Sequence, residues 1–284
     1  MGEKPTDAET AEALLASGFL LEQRVALVLE CRGYSTRIAG SYVDPDEGKP
    51  REIDVIGLKY IATDEQAEHP IAQIVVIECK SSPQTHVAFT RPWTPYERGN
   101  PPFELRLSKV DNSEAEKHRP VNPVPGQSYQ VKRAWETLGL GDDWEVFRLN
   151  NIEKAVQIVR IEREGKGFKA RNVLPEIGYP PIKAAFDLRR TMLGGETKSG
   201  RDGAIFPACV TGGDLKVVDP VGVDEVVLQD RDFVAVVHEN RASWMEASRH
   251  RRSIFDVVPF VHLEKWLDHV DGVTDRLNMR VRGA

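Results

Sequence analysis

The spacing of hydrophobic residues changes from helical to alternating within the first eighty residues of the chain. Asp7 to Arg32 is predicted to be helical, with a break near Ser17-Gly18. The second piece begins at Phe19, and we expect Gly33 to end it. Its apolar stripe consists of Leu21, Val25, Val28 and Leu29.

Three β-type segments follow these helices. We predict strands at Ser35 to Val43, Glu52 to Tyr60 and Gln73 to Lys80. The stretch from Asp44 to Pro50 is rich in turn-forming residues, which suits a hairpin connection between the first two strands.

The regular pattern is lost after Lys80. Eight of the 18 prolines lie between Ser81 and Gln127, and so long a loop inside a domain is usually functional or disordered. Asn151–Ile161 is ambiguous. Beyond the loop we predict helices at Ser128–Leu138, Ile182–Leu193 and Val261–Val270, strands at Ala204–Val210 and Phe233–His238, and a polar glycine-rich loop at Gly194–Gly203.

This order of elements fits a single α/β domain over residues 1–284, with insertions. Its core elements lie at 18–82, together with later helices and strands. Residues 83–125 are the proline-rich insertion, and the last third of the chain is an extension.

Composition and charge narrow the class of protein. The formal net charge is -6, so the chain is not a general polyanion binder, and any nucleic-acid site must be a local basic patch. The three cysteines are far apart, which indicates a reducing compartment and argues against a zinc ribbon. No apolar run approaches the roughly 20 residues of a membrane helix, and the amino terminus does not resemble a secretory signal. We therefore expect a cytoplasmic protein.

Three charged residues carry the candidate chemistry. Glu78 and Lys80 end an apolar strand and share one face of it, because side chains alternate along a strand. Asp54 is a lone acid between two apolar neighbours in the preceding strand. If these strands pair, two carboxylates and an ammonium converge at one end of the sheet.

These residue types suit hydrolysis of a phosphodiester. The reaction needs a hard cation to neutralise the phosphate and acidify a water, and carboxylate oxygens are the ligands that Mg²⁺ prefers. We assign Asp54 and Glu78 to the metal, and Lys80 to the attacking water and the transition state.

Glu22 is a further acid of interest. It falls on the apolar stripe of the second helix, where a carboxylate is costly unless it is paired or bound to a metal. Glu22 can be a direct metal ligand, a residue beside the ligands, or a plain helix-terminal acid favoured by the helix dipole, and these alternatives remain open.

The succession Glu22, Gly33-Tyr34, Glu-Ile-Asp54-Val and Val-Ile-Glu78-Cys-Lys80 resembles the PD-(D/E)XK nuclease superfamily, particularly its Mrr-like branches. The resemblance covers roughly residues 18 to 82. It implies a mixed central sheet flanked by helices, a restriction-endonuclease-like core and Mg²⁺-dependent hydrolysis of nucleic acid, with Mn²⁺ as a substitute. It also implies that the backbone carbonyl of Cys79 is a metal ligand.

The E-x-K motif is weak by itself, because the chain contains four copies. Only Glu78 ends a run of β-forming residues that would hold it rigidly. The literal Pro45-Asp46 dipeptide lies in the predicted turn, so Asp54 is the better acid. The other three copies are Glu47-Gly-Lys49, Glu164-Gly-Lys166 and Glu196-Thr-Lys198.

Short basic runs could hold a phosphate backbone, although such runs are more often solvated surfaces. They comprise Lys132-Arg133, Arg189-Arg190 and the arginines Arg249, Arg251 and Arg252. The proline-rich segment 83–125 carries aromatic and basic residues, so it is either a substrate flap or a packed structural insertion.

The sequence thus predicts a metal-dependent endonuclease of restriction, phage defence or repair, acting on DNA rather than RNA. Two alternatives stay open. The three charged residues can form a cross-strand salt bridge, or the fold can be a catalytically silent nucleic-acid-binding or protein-interaction subunit. A homodimer or a partner from a defence system is also open.

Overall fold

A large mixed β-sheet runs through the part of the chain that the structure, a computed structural model, describes. The described residues are 4–61, 71–94, 105–106, 153–192, 203–218, 226–239 and 252–283. Within them the helices are α1 (Asp7–Ser17), α2 (Phe19–Cys31), α3 (Leu174–Met192) and α4 (Leu263–Gly283), with a short 3₁₀ turn at Phe260–His262.

The sheet contains twelve strands within these residues. They are β1 (Ser35–Val43), β2 (Pro50–Ile61), β3 (Ile71–Lys80), β4 (His86–Pro92), β5 (Leu105–Arg106), β6 (Glu153–Glu164), β7 (Gly167–Asn172), β8 (Gly203–Thr211), β9 (Leu215–Val218), β10 (Leu228–Asp230), β11 (Val234–Glu239) and β12 (Arg252–Pro259).

The strand order is β1-β2-β3-β8-β12-β11-β6-β4-β9-β10, with β5 paired to β8 and β7 paired to β6. The first three strands form an antiparallel meander. β8 then lies parallel to β3, with Glu78 opposite Cys209 and Lys80 opposite Thr211. The α/β class with a mixed sheet flanked by helices is therefore confirmed.

Alternating residues of β3 pack against different helices. Val75, Ile77 and Cys79 belong to a core with α2 and α4. Ile74 and Val76 belong to a separate core with α3. Nine of the ten residues of β3 are buried, which explains why its sequence is a continuous apolar run.

The amino-terminal helices begin and end where the sequence predicts. Thr6 and Glu9 form a reciprocal capping box at the start of α1. Gly18 has a φ of 87°, a left-handed conformation that glycine adopts without a steric penalty, and it separates α1 from α2. The predicted break at Ser17-Gly18 is confirmed.

The predicted hairpin between β1 and β2 is also confirmed. Asp44 closes its turn, because its carboxylate accepts hydrogen bonds from the backbone N–H groups of Asp46 and Glu47. Lys183 of α3 binds both Asp44 and Asp46. The Pro45-Asp46 dipeptide therefore lies in a turn, as predicted.

Several predicted elements need correction. The segment after Lys80 is not a loop throughout, because β4 lies within the sheet and Trp93 is buried against Ala235, Val237 and Ile254. Of the two alternatives for 83–125, the packed insertion describes residues 86–93, while 95–104 and 107–125 lie outside the described residues.

The sequence leaves Asn151–Ile161 ambiguous, and most of this stretch lies in strand β6. Strand β12 is not predicted by the sequence. Helix α3 begins at Leu174 rather than Ile182, although it contains Pro180 and Pro181. The predicted helix Ser128–Leu138 lies outside the described residues, as does most of the loop Gly194–Gly203.

The strands predicted at Ala204–Val210 and Phe233–His238 are confirmed. So is the closing helix, which runs to Gly283. No helix among the described residues is long and apolar enough to cross a membrane.

Candidate active site

Asp54 lies where β2 and β3 separate. The paired register between these strands runs from Ile61–Ile71 to Val55–Ile77. One residue further on, the Oδ2 atom of Asp54 accepts a hydrogen bond of 2.6 Å from the backbone N–H of Cys79. A side chain thus takes the place of a ladder hydrogen bond and fixes the carboxylate beside Glu78.

The backbone around Asp54 is irregular. Ile53 belongs to the core under α3, whereas Val55 belongs to the core under α2 and α4, although residues two apart on a regular strand share a face. On the neighbouring strand, Ala39 has a φ of 54°, and its pairing with Asp54 is missing from a register that is otherwise unshifted from Ile38–Val55 to Gly40–Ile53. The irregularity therefore lies at Asp54 itself.

Glu78 and Lys80 form an ion pair on one face of β3. The Nζ atom of Lys80 donates to Oε1 of Glu78 at 2.6 Å. The side chain of Glu78 is 10% exposed, whereas that of Lys80 is 25% exposed. The buried carboxylate of Glu78 is therefore paired with the ammonium group of Lys80, which solvent or substrate can reach.

Glu22 lies on the same side of the molecule, in the first turn of α2. A Cβ atom placed on Gly18 would be 3.5 Å from Oγ of Ser81 and 4.0 Å from Oε1 of Glu22. The start of α2 therefore contacts the residue that follows Lys80. The charges of Asp54 and Lys80 both act on Glu22.

Burial and mutual repulsion raise the pKa values of all three acids. For Asp54, burial is the main cause, and the hydrogen bond from Cys79 opposes it. For Glu78, burial and the charge of Asp54 outweigh the attraction of Lys80. For Glu22, burial acts together with the charges of Asp54 and Glu52 to raise the pKa.

Lys80 behaves differently. Burial lowers the pKa of its ammonium, but the hydrogen bond and charge of Glu78 outweigh burial and raise it. Lys80 is therefore cationic at neutral pH. Both partners of this ion pair have a raised pKa, because burial and the charge of Asp54 act on Glu78, whereas the charges of Glu78 and Asp54 act on Lys80.

Two glycines fix the chain directly behind the site. The N–H of Gly212 donates to the carbonyl of Lys80 at 2.8 Å. A Cβ atom on Gly212 would lie 2.7 Å from the carbonyl oxygen of Ser81, and one on Gly213 would lie 2.1 Å from that of Gln84. Only glycine allows the segment after β8 to pack so closely against the segment after β3.

The donor set fits a hard divalent cation. Asp54 and Glu78 each have one oxygen that accepts no hydrogen bond from the described residues. Burial raises the pKa values of both carboxylates because it disfavours their charged forms, and a bound cation would favour those charged forms. Mg²⁺ keeps several waters and needs only one or two carboxylates from protein.

The metal role of Glu22 stays a prediction. Among the described residues, no cluster of three or more His, Cys, Asp and Glu side chains is arranged to hold a metal ion. The candidate ligands are Asp54 and Glu78, with the carbonyl of Cys79 and the carboxylate of Glu22 as the further ligands that the sequence predicts.

Two of the predicted basic residues, Arg189 and Arg190, lie in the last turn of α3. Arg190 donates to Asp187 within α3, and Arg189 lies beside it. Arg252 begins β12, but its side chain is not described. Lys132, Arg133, Arg249 and Arg251 lie outside the described residues.

Sequence patterns missed a polar group next to the site. Arg160 of β6 binds Glu162 and Glu176, and His86 is buried nearby with a pKa that burial and Arg160 lower to about 4. The charges of Glu78 and Glu176 both act on Cys209, which lies between the two groups. No motif could reveal this group, because pairing of β4 with β6 creates it.

Neither a family model, nor a curated protein, nor a solved structure matches this chain.

Proposed function

We propose that this chain is a metal-dependent nuclease that hydrolyses phosphodiester bonds in DNA, with Asp54, Glu78 and Lys80 as its catalytic residues. The observation that carries the proposal is the hydrogen bond from Cys79 to Asp54, because it sets a second carboxylate beside the Glu78–Lys80 ion pair. A plain salt bridge to the lysine needs only one acid. The presence of two acids beside the lysine at one strand end therefore favours phosphodiester chemistry.

The arrangement of elements supports the same proposal. Helix α2 precedes an antiparallel meander of β1, β2 and β3, and α3 precedes β8, which is parallel to β3. This order agrees with the restriction-endonuclease-like core that the sequence resemblance implies. The acids lie on the second and third strands of the meander, where that resemblance expects them.

In this proposal Asp54 and Glu78 hold Mg²⁺ or Mn²⁺, together with the backbone carbonyl of Cys79. The cation supplies positive charge that neutralises the phosphate and acidifies water. Lys80, kept charged by Glu78, orients the attacking water and donates to the phosphate oxygen on which negative charge develops. Glu22 keeps the site electronegative from the start of α2.

Plasmid nicking in Mg²⁺ or Mn²⁺ against EDTA tests the activity. Asp54→Asn and Glu78→Gln should each lower cleavage by about 100-fold or more, the effect of removing one group that stabilises a transition state. Glu47→Gln is the matched control, since Glu47 belongs to another E-x-K copy and is exposed in the β1–β2 turn. Cleavage that resists EDTA, or equal loss in the control, would contradict the proposal.

A catalytically silent nucleic-acid-binding subunit is the second candidate. The observation that favours it is the ion pair of Lys80 with Glu78, which already neutralises one of the two carboxylates without a metal. Binding of duplex DNA without any cleavage in Mg²⁺ or Mn²⁺ would support this candidate instead.

A further inference from the structure

Strands β6 and β7 form a hairpin that extends beyond the rest of the sheet. Within the described residues β7 pairs with β6 alone, from Val159–Asn172 to Glu164–Gly167. All six residues of β7 are exposed. An exposed two-stranded ribbon buries little of its own surface, so its stability must come from its base.

The base of the hairpin is firmly attached. Arg160, which is 12% exposed, binds Glu162 at 2.5 Å and Glu176 of α3 at 3.1 Å. At the other strand, the side chain of Asn172 accepts a hydrogen bond from the N–H of Leu174 at the start of α3. The ribbon is therefore presented from the core as a defined element.

The exposed part of the hairpin is basic, although the whole chain has a net charge of -6. Lys169 and Arg171 are paired with Glu164 and Glu162. Arg163 and Lys166 are exposed and form no ion pair with any residue that the structure describes.

An exposed aromatic ring accompanies these charges. Phe168 is 78% exposed and lies opposite Arg163 in the ladder. Phe168 belongs to none of the hydrophobic clusters of the described residues, so its ring is available to a partner. The combination fits a partner that offers both phosphates and apolar base edges.

The hairpin also lies near the catalytic residues. The N–H of Ile161 donates to the carbonyl of Thr85 at 2.9 Å. Thr85 follows Lys80 by five residues, so the two Cα atoms are within about 18 Å, since an extended chain spans at most about 3.6 Å per residue. β6 is antiparallel to β4, and His86 at the start of β4 pairs with Arg160. Residues 161–164 therefore continue past the start of β4, on the side where segment 81–85 lies.

We propose that the β6–β7 hairpin binds duplex DNA beside the cleaved bond, with Arg163 and Lys166 on the phosphates and Phe168 in the groove. The major groove of DNA admits a two-stranded β-ribbon. Each strand carries one phosphate per 3.4 Å of helix, so the base of the hairpin reaches within about five base pairs of the cut. This assignment rests on the proposed nuclease function.

The test measures binding in EDTA, where no cleavage occurs, to a duplex of about 30 base pairs, longer than the hairpin's reach. The double variant Arg163→Gln/Lys166→Gln should weaken binding about tenfold and reduce the slope of log affinity against log salt by about 1.8, two phosphate contacts. Phe168→Ala should weaken binding without changing that slope.

The matched control is Lys4→Gln/Lys265→Gln, which changes the net charge equally. Lys265 is exposed and pairs with Asp232. It lies on α4, whose first turn contacts Arg32, and Arg32 is at the opposite end of α2 from Glu22. The control should keep the parent's affinity and slope. All variants should keep the parent's melting temperature, because exposed substitutions cost little stability.

The outcomes separate the two proposals. If the hairpin variants bind the duplex like the control, the hairpin assignment is overturned and the nuclease proposal is untouched. The hairpin assignment is also overturned if the hairpin variants lose affinity for heparin but not for the duplex. A parent that binds no duplex overturns it as well. A parent that binds with the expected dependence but never cuts in Mg²⁺ or Mn²⁺ overturns the nuclease proposal only.

Discussion

At the scale of single residues, one hydrogen bond decides the character of the candidate site. The N–H of Cys79 donates to Asp54, and this places a second negative charge beside Glu78. Burial is the largest cause that raises the pKa values of Asp54 and Glu78, and Lys80 only partly opposes it. The site has the excess of negative charge that a divalent cation requires.

The first prediction concerns that cation. A carboxylate with a raised pKa contributes stability at pH values below the pKa, and this stability is lost as the pH rises through it. At neutral pH, millimolar Mg²⁺ should therefore raise the melting temperature by binding the folded state. The increase should shrink as the pH falls and the acids are protonated, and thermal melts with and without EDTA measure it.

Glu78→Gln should lose most of this increase, whereas Glu47→Gln should keep it. An increase of equal size in Glu78→Gln would show that Mg²⁺ binds elsewhere.

Lys80 gives the second prediction. Lys80→Met keeps the length of the side chain and removes its charge, so single-turnover cleavage should fall by about 100-fold or more. Metal affinity in a calorimetric titration should stay close to that of the parent, because the lysine is not a ligand. Strong loss of metal binding would contradict the role assigned to it.

His86 gives the third prediction. It is fully buried, and within the described residues neither ring nitrogen makes a well-formed hydrogen bond, although the backbone of Gln84 weakly favours the charged form. Burial and the charge of Arg160 lower the pKa of His86 to about 4. Between about pH 6.5 and 4 the unfolded chain therefore binds a proton that the folded chain does not.

Stability should accordingly fall as the pH drops through this window, by up to about 3 kcal/mol from His86. Denaturant unfolding of the parent and of His86→Phe at several pH values measures this contribution. Relative to His86→Phe, the parent should lose up to about 3 kcal/mol of stability as the pH falls from 6.5 to 4, because the other groups titrate alike in both proteins. A constant difference across this window would show that His86 does not cause it.

At the scale of elements, packing outweighs local propensity in helix α3. Pro180 and Pro181 lie inside it, and prolines normally interrupt a helix. The helix continues because Ile177, Pro181 and Ile182 are buried against the sheet. At Gly178, a Cβ atom would lie 2.7 Å from Cε1 of Phe255, so glycine alone permits this close approach.

The fourth prediction compares two helical glycines. Gly178→Ala should destabilise the protein by about 1–3 kcal/mol, because the methyl group must displace the ring of Phe255. Gly272→Ala in α4 is the control, since its Cβ would meet nothing within 4 Å. That substitution should stabilise by about 0.5–1 kcal/mol through helix propensity. Equal effects in chemical denaturation would contradict the packing argument.

At the scale of the whole molecule, distant parts of the chain complete the site. β3 is covered on one edge by β8, more than a hundred residues later. One of its faces is covered by Trp266 and Leu267 of α4. The stretch 18–82, which carries all the recognisable motifs, therefore lacks most of the partners that bury β3.

The fifth prediction follows from this dependence. A fragment of residues 1–82 should show no cooperative unfolding transition, because the apolar strand β3 would be exposed on an edge and a face. Circular dichroism and denaturant titration compare it with the full chain. A cooperative transition in the fragment would show that the amino-terminal part folds alone.

The sequence by itself determined the meander and its charged residues. Alternation and turn residues are local signals, so β1, β2, β3 and the hairpin at Asp44 could be predicted, and so could the shared face of Glu78 and Lys80. The tertiary structure decided the rest, because long-range pairing has no local signature. It placed β4 within the sheet despite its flanking prolines, joined His86 to Arg160, and bound Asp54 to Cys79 at a point where the regular register of β2 and β3 has already ended.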